Sequence, residues 1–211
     1  MGLYARVFPE KERIDRRYFV RILEEKRLGL LYPFNIHFLV ARRGAQVVGL
    51  ATGSYLAVVN MGFVGYLAVE PGLKGARIGS RLRERLLAEF RCDARAARHD
   101  DLRGVLGEVE ADNPWLAHLE RTRGVLALDF AYRQPSLGAT PAVPLVLYLE
   151  PIAEPIPRVS TKELRALLYA VYRRMYRIRF PLKDGVFRRM LKELRGRRWV
   201  GRRRPPSKRT R

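Results

Sequence analysis

Residues 47–69 read VVGLATGSYLAVV, then Asn60, then MGFVGYLAV. Two long β-branched and aromatic segments with one polar residue between them leave little choice but two sheet strands side by side. Glycines inside both segments point to bulges or to another element approaching the backbone closely. At residue 69 the character changes again, in VEPGLKGARIGSRLRERLLAEF (69–90). An apolar strand end runs through a glycine-rich turn into a helical period that reaches about His99. A strand, a turn and a long helix in that order commit the chain to an α/β architecture.

The remaining elements are consistent with that frame. YARVF (4–8) is a short strand candidate, and residues 9–31 carry apolar residues at helical spacing. IHFLVA (36–41) predicts a strand, closed by a tight turn at 42–46 in which Gly44 is available for positive φ. GVLGEVEA (104–111) predicts another strand. DNPWLAHLERTRG (112–124) carries both helix punctuation marks, a cap at Asp112 or Asn113 with Pro114 in the first turn, and Gly124 at the end. VLALDFAYR (125–133) and PAVPLVLYLEP (141–151) predict two further strands. The fold class expected is α/β, a mixed central sheet with flanking helices and no internal repeat.

A Pro-rich stretch, EPIAEPIPR (150–158), separates this body (1–157) from a second unit. Ser160 and Glu163 form a capping box, and helical spacing then continues to about residue 200. Residues 201–211, GRRRPPSKRTR, have no apolar content and are expected to be disordered. Charge follows the same division. The chain has a net charge of +21, of which residues 158–211 carry +17 (20 Lys and Arg, 3 Asp and Glu) and residues 1–157 only +4 (22 against 18). The organisation expected is a near-neutral globular domain (1–157), a basic helical extension (158–200) and a basic tail (201–211).

No apolar run is long enough to span a bilayer, and the N-terminal residues form no signal-peptide pattern, so the chain reads as soluble and cytoplasmic with no membrane partner. The single cysteine, Cys92, excludes an internal disulfide framework and a thiolate metal cluster, and its helical setting predicts a half-buried thiol. His37, His99 and His118 have no metal-ligand spacing; no metal site is expected and structural roles are.

The turn at 74–80 exposes several backbone N–H groups at a helix N-terminus, with Lys74 and Arg77 adding positive charge. That is an anion site in principle, although ligand-free glycine turns of this kind are common. It is neither a Walker loop nor a dinucleotide fingerprint. The longer run LAVEPGLKGARIGSRL resembles the hallmark of the GNAT family of acyl-CoA-dependent N-acyltransferases, in which a strand ending in Ala-Val and a Pro precede an Arg/Gln-x-x-Gly-x-Gly/Ala turn that opens a helix. Lys74 stands at the first motif position and Gly79 at the last. Arg77 replaces the middle glycine. Asn113 through Gly124-Val125 resemble the family's second block, and the likeness covers residues 4–150.

That resemblance implies a GNAT fold carrying a helical C-terminal extension, with acetyl-CoA as acyl donor. Main-chain groups of Leu67, Ala68 and Val69 would pair with the pantetheine arm. Backbone N–H groups of Lys74, Gly75, Ala76, Arg77, Ile78, Gly79 and Ser80 would hold the pyrophosphate, and Asn113 would contact the donor near its acyl end. The reaction implied is direct attack of a primary amine, on a small molecule or a protein, in a ternary complex. The family's thiol-protonating tyrosine corresponds to Glu120 here, which leaves another tyrosine, solvent, or low or lost activity. Tyr66 and Tyr132 are the candidate tyrosines, each more readily read as a core or rim aromatic. Glu108 and Glu110 alternate on one side of their strand, suited to binding a cationic amine and accepting its proton, or else to a solvated strand face.

The extension interleaves Arg and Lys with Tyr169, Tyr172, Tyr176, Phe180, Phe187 and Trp199, a mixture that suits nucleic acid or another polyanion. Its helix face of Leu164, Leu167, Leu168, Val171 and Met175 must bury against the main body or a second copy in a homodimer. A reading from a different class follows: a catalytically weak CoA-binding or regulatory module whose basic tail binds nucleic acid or the ribosome.

Overall fold

The computed structural model describes residues 2–8, 10, 13–73, 75–122, 124–136 and 141–204. Strands β1 (Asn35–Arg43), β2 (Gln46–Leu56), β3 (Met61–Val69) and β4 (Gly104–Val109) lie side by side, followed by β6 (Val146–Pro151) and the short β5 (Leu126–Ala127). Every pairing in this six-stranded sheet is antiparallel except β3 with β4. The parallel pair is joined by a crossover through α3 (Ile78–Ala96), so the sheet is mixed, as the element order predicts. The turn between β2 and β3 is closed by Asn60 in the left-handed conformation (φ 51°), whose side chain accepts from the Tyr55 hydroxyl at 3.0 Å and donates to the Asp101 carbonyl at 2.9 Å.

The strand glycines are where α3 comes close. A Cβ at Gly53 would lie 2.5 Å from the Phe90 ring, and one at Gly62 only 2.2 Å from it. Leu82, Leu86 and Phe90 therefore sit directly on the backbone of the hairpin, with Ala51, Tyr55 and Val105 completing that side of the core. Gly65 does different work. Thr52 pairs with Tyr66 and Gly53 with Val64, so Gly65 is the extra residue of a bulge, held by the Tyr66 N–H donating to Thr52 Oγ1 at 3.1 Å. Beyond the bulge the facing of β3 reverses: Val64, Leu67 and Ile78 pack on the α3 side, whereas Tyr66 meets Tyr4 and Phe8 on the other.

The N-terminal segment corrects the expectation of a strand at 4–8. Gly2–Val7 form a helix, α1, because a helical pitch sets Tyr4 and Phe8 on one face (ring centroids 5.5 Å apart) and lets both meet Tyr66 edge-on, at 5.0 and 4.8 Å. The helix expected over 9–31 occupies Arg16–Arg27 (α2) and is capped by Asp15, whose carboxylate accepts from the Arg17 N–H. In place of a long strand at 125–133 there are only β5 and two isolated bridges, at Leu128 and Arg133. Cys92 is exposed, not half-buried, since it lies on the outer side of α3. Helix α4 (Pro114–Arg121) matches its predicted punctuation, with Asn113 as N-cap and Gly124 at φ 92°.

The extension folds onto the main body. After β7 (Arg158–Ser160), Ser160 caps α5 (Thr161–Ala170) by accepting from the Glu163 N–H at 3.1 Å. Leu164, Leu167, Leu168, Val171 and Met175 bury with Phe63, Leu106 and Leu147 on the sheet face opposite α3. So the apolar face is covered within this chain. The helix widens into a π-turn at Val171–Met175, and α6 (Gly185–Glu193) follows with Asp184 as its cap. The tail was expected to be disordered from residue 201, yet β8 (Trp199–Gly201) pairs with β7 and Arg202 bridges to Leu128. Residues 205–211 lie outside the described residues. No helix among the described residues is long and apolar enough to cross a membrane.

Candidate active site

Strands β3 and β4 pair only from Met61↔Gly104 to Val64↔Gly107 and then part. The gap between them opens into a cleft of about 810 Å³. Leu67, Ala68 and Val69 form one wall and Glu108, Val109 and Glu110 the other. Past Val64 no strand among the described residues pairs with β3 on its β4 side, which leaves room there for a ligand laid along the main chain.

The far end of the cleft is the N-terminus of α3. Arg77, the residue before the helix, adopts φ 56° and ψ 13°, a left-handed conformation that glycine takes without cost, and no side chain among the described residues caps the helix there. Gly75, Arg77, Ile78, Gly79 and Ser80 line the cleft. Ala76 does not: its N–H is engaged by the Leu73 carbonyl at 3.3 Å. Lys74 lies outside the described residues. Among the described residues a Cβ at Gly79 would meet only Val69, at an ordinary 3.5 Å. Packing within the chain therefore leaves room there for a side chain, unlike at Gly53 or Gly62. Uncapped first-turn N–H groups beside clear space and an arginine fit a pyrophosphate.

On the opposite sheet face Glu108 is gripped from the extension. The Tyr176 hydroxyl donates to Glu108 Oε1, while Oε2 makes no hydrogen bond among the described residues. Burial pushes this carboxyl up to about 7, against a smaller downward pull from the neighbouring Tyr132 hydroxyl. Glu110 lies two residues on along the same wall of the cleft. Tyr132 does not line the cleft. It is sealed behind Glu108 at 1% exposure, its hydroxyl makes no ordinary hydrogen bond among the described residues, and burial holds it protonated. Tyr66 lines the cleft with its ring packed on α1, and burial raises it too. Asn113 lines the cleft while its Oδ1 accepts from the Trp115 N–H at 2.9 Å. Glu120 is turned away and paired with Arg203 at 3.0 Å.

Four contributors were missed by sequence reasoning: Phe8 just after α1, Met175 at the end of the π-turn with Tyr176 following it, and Tyr148 from β6. For Tyr176 the only sequence signal was an aromatic in a basic helical stretch, which does not say which way the helix turns. His37 is buried with Nε2 2.6 Å from Asp93, and His118 stacks on Trp115. Among the described residues no cluster of His, Cys, Asp and Glu could hold a metal ion.

A strand pair parting beside a crossover helix with an open N-terminus defines a class of α/β protein whose cleft suits an extended ligand with an anionic end. The sequence model described as "Acetyltransferase (GNAT) family" matches residues 3–119, more than half of the chain, and the protein belongs to that family. GNAT acetyltransferases use acetyl-CoA as the acetyl donor. Among solved structures, an acetyltransferase of the GNAT family from Bacteroides thetaiotaomicron is similar at 18% identity and TM-score 0.57, over 83% of this chain and 88% of that one. A ribosomal-protein-alanine N-acetyltransferase from Brucella melitensis is similar at 22% identity and TM-score 0.44, over 66% and 80%. The PaiA N-acetyltransferase from Thermoplasma acidophilum, solved in complex with coenzyme A, is similar at 13% identity and TM-score 0.48, over 71% and 84%. No curated protein matches the sequence.

Proposed function

We propose that this chain transfers the acetyl group of acetyl-CoA to a primary amine by direct attack in a ternary complex. The observation that carries the reading is the parting of β3 from β4, with an uncapped helix N-terminus on one sheet face and two carboxylates on the other. The N–H groups of Gly75 and Arg77 to Ser80 hold the pyrophosphate. Main-chain groups of Leu67 to Val69 hold the pantetheine arm, and Asn113 stands near its acyl end. Bound acetyl-CoA supplies an activated thioester carbonyl.

The acceptor enters from the other face. Glu110 attracts the ammonium, Glu108 takes its first proton, directly or through water, so that the nitrogen lone pair can attack, and the second proton leaves to water as the new C–N bond forms. Tyr176 holds the Glu108 carboxyl in place through its hydrogen bond. Phe8, Ile14, Tyr66 and Met175 wall the same space, so the acceptor is a cationic amine on an apolar body. Thiol release from acetyl-CoA should depend on added amine, with phenethylamine or an apolar aminoacyl amide outrunning spermidine. Tight acetyl-CoA binding with no turnover on polar, apolar or peptidyl amines would leave only a binding module.

That module is the second reading, and the surface of the extension favours it. Arg188, Arg189 and Lys192 on α6 and Arg195 just after it are exposed and unpaired among the described residues. Trp199 is 40% exposed with the Arg158 guanidinium 4.4 Å from its ring centre, and Phe180 is 55% exposed with Arg179 and Lys183 at 5.2 and 5.1 Å. Cations beside open rings suit unpaired bases. Retention on immobilised single-stranded RNA should fall with log salt by roughly 0.7 per phosphate contacted. Replacing Arg188, Arg189, Lys192 and Arg195 by Gln should abolish it. Failure of the unaltered chain to bind RNA at low salt would remove this partner.

A further inference from the structure

Acetyl transfer leaves a thiolate on the donor, and that sulfur needs a proton. Three tyrosines line the cleft: Tyr66, Tyr148 and Tyr176. The Tyr176 hydroxyl is committed to Glu108, and Tyr66 packs on α1 on the acceptor face. Tyr148 stands on the donor face, beneath α3 and α4, packed with Val109, Leu116 and Leu119. Its hydroxyl makes no hydrogen bond among the described residues and is not sealed off.

The position of that hydroxyl is built by a glycine. Tyr148 is the cross-strand partner of Gly107, and a Cβ at Gly107 would lie 2.2 Å from the Tyr148 hydroxyl oxygen and 2.4 Å from Cζ. Any other residue there would push the ring away. Gly107 has no positive φ that would itself require glycine. Gly107 is also the last β4 residue paired with β3. The Tyr148 hydroxyl thus overlies the vertex at which the two strands part. A pantetheine arm running from the α3 N-terminus along Val69 to Leu67 brings its sulfur to that vertex.

Resting on the acetyl-transfer reading, we infer that Tyr148 is the proton donor to the departing sulfur of CoA. As the C–N bond forms, the C–S bond breaks with its electron pair on sulfur, and the Tyr148 hydroxyl proton passes to that sulfur. The phenolate left behind recovers a proton from water in the cleft. Arg83 and Glu84 of α3, Glu108 of β4, Glu150 of β6 and His118 of α4 line the same space, with Arg83 and Glu150 paired to each other. Burial raises the phenol above its ordinary range, so the proton is present at neutral pH.

The test uses the full chain with CoA, the product, and needs no acceptor. The thiolate of bound CoA is titrated by ultraviolet absorbance, subtracting a blank with S-methyl-CoA. A donor at sulfur stabilises the thiolate, so Tyr148→Phe should raise the apparent pKa of the bound thiol by about one unit. Gly107→Ala, which displaces the ring but keeps the hydroxyl, should do the same. Calorimetry with CoA shows that each variant site is intact. Coincident thiol titrations in the unaltered chain and Tyr148→Phe would overturn the assignment of Tyr148 alone. Failure of the unaltered chain to bind CoA would overturn both it and the acetyl-transfer reading.

Discussion

Glu108→Gln should lower kcat by roughly 100-fold or more, the range typical of a lost general base, and leave acetyl-CoA affinity unchanged. The substitution keeps an amide oxygen where Tyr176 donates, so the surrounding hydrogen bond survives. The pH profile separates this residue from a merely structural one. A base must be ionised to work, and burial holds Glu108 up to about 7, so kcat/KM should climb as pH rises through about 7. The Gln variant should lose that limb. With phenethylamine as acceptor, deprotonation of the alkyl amine, whose ordinary value is about 10, lies far above that window and remains. Stability should move the opposite way. The folded carboxyl keeps its proton above the ordinary value of 4.5, so the stability it contributes is full below 4.5 and is lost as pH rises through about 7. Glu108→Gln should therefore melt higher than the unaltered chain above pH 7 and no higher at 4.5. A variant that is more stable and less active marks a strained working residue. Equal activity would end the role of Glu108.

The parts of the fold legible in sequence were those fixed by local pattern. Met61–Val69 begin and end where the apolar run does, because Asn60 before and Pro71 after leave the strand no room to extend. Asn113, Pro114 and Gly124 delimit α4 by conformational preferences that tertiary contacts do not override. The motif places the α3 N-terminus at one end of a cleft for the same reason. What stayed hidden depends on pairs distant in sequence. YARVF alternates like a strand, and only the rings of Tyr66 and Phe19, supplied by other elements, make a helix the better burial for Tyr4. Glu120 reads as a missing acid until Arg203 arrives from 83 residues away to pair with it. Gly107 looks like any strand glycine until the register across β6 sets Tyr148 over it. Tyr176 reaches Glu108 only because the helix widens at Val171–Met175, and nothing in VYRRM announces a π-turn. In each case the sequence holds both partners, but the spacing between them carries no period that would join them.

Gly79→Trp should abolish acetyl-CoA binding, a loss of at least 100-fold and so about 2.7 kcal/mol, without unfolding the chain. The argument turns on what each glycine is for. At Gly62 an added Cβ strikes Phe90 at 2.2 Å, so substitution there tests packing and reports nothing about ligand. At Gly79 the added carbon meets Val69 at 3.5 Å in ordinary contact, and the rest of a larger side chain has only the cleft to enter. Gly79 lies in the first turn of α3, where φ is helical and a side chain costs the backbone nothing, so helix propensity favours the variant. An indole there covers the N–H groups that hold the pyrophosphate and removes the space the anion needs. Gly79→Ala sets the scale: one methyl should weaken binding several-fold and leave the melting temperature unchanged. Calorimetry with acetyl-CoA reads the affinity, and thermal melts of the free variants show that the fold is intact. If Gly79→Trp bound acetyl-CoA like the unaltered chain, the donor would not lie over the α3 N-terminus, and the turn at 74–80 would be a scaffold turn joining β3 to its crossover helix.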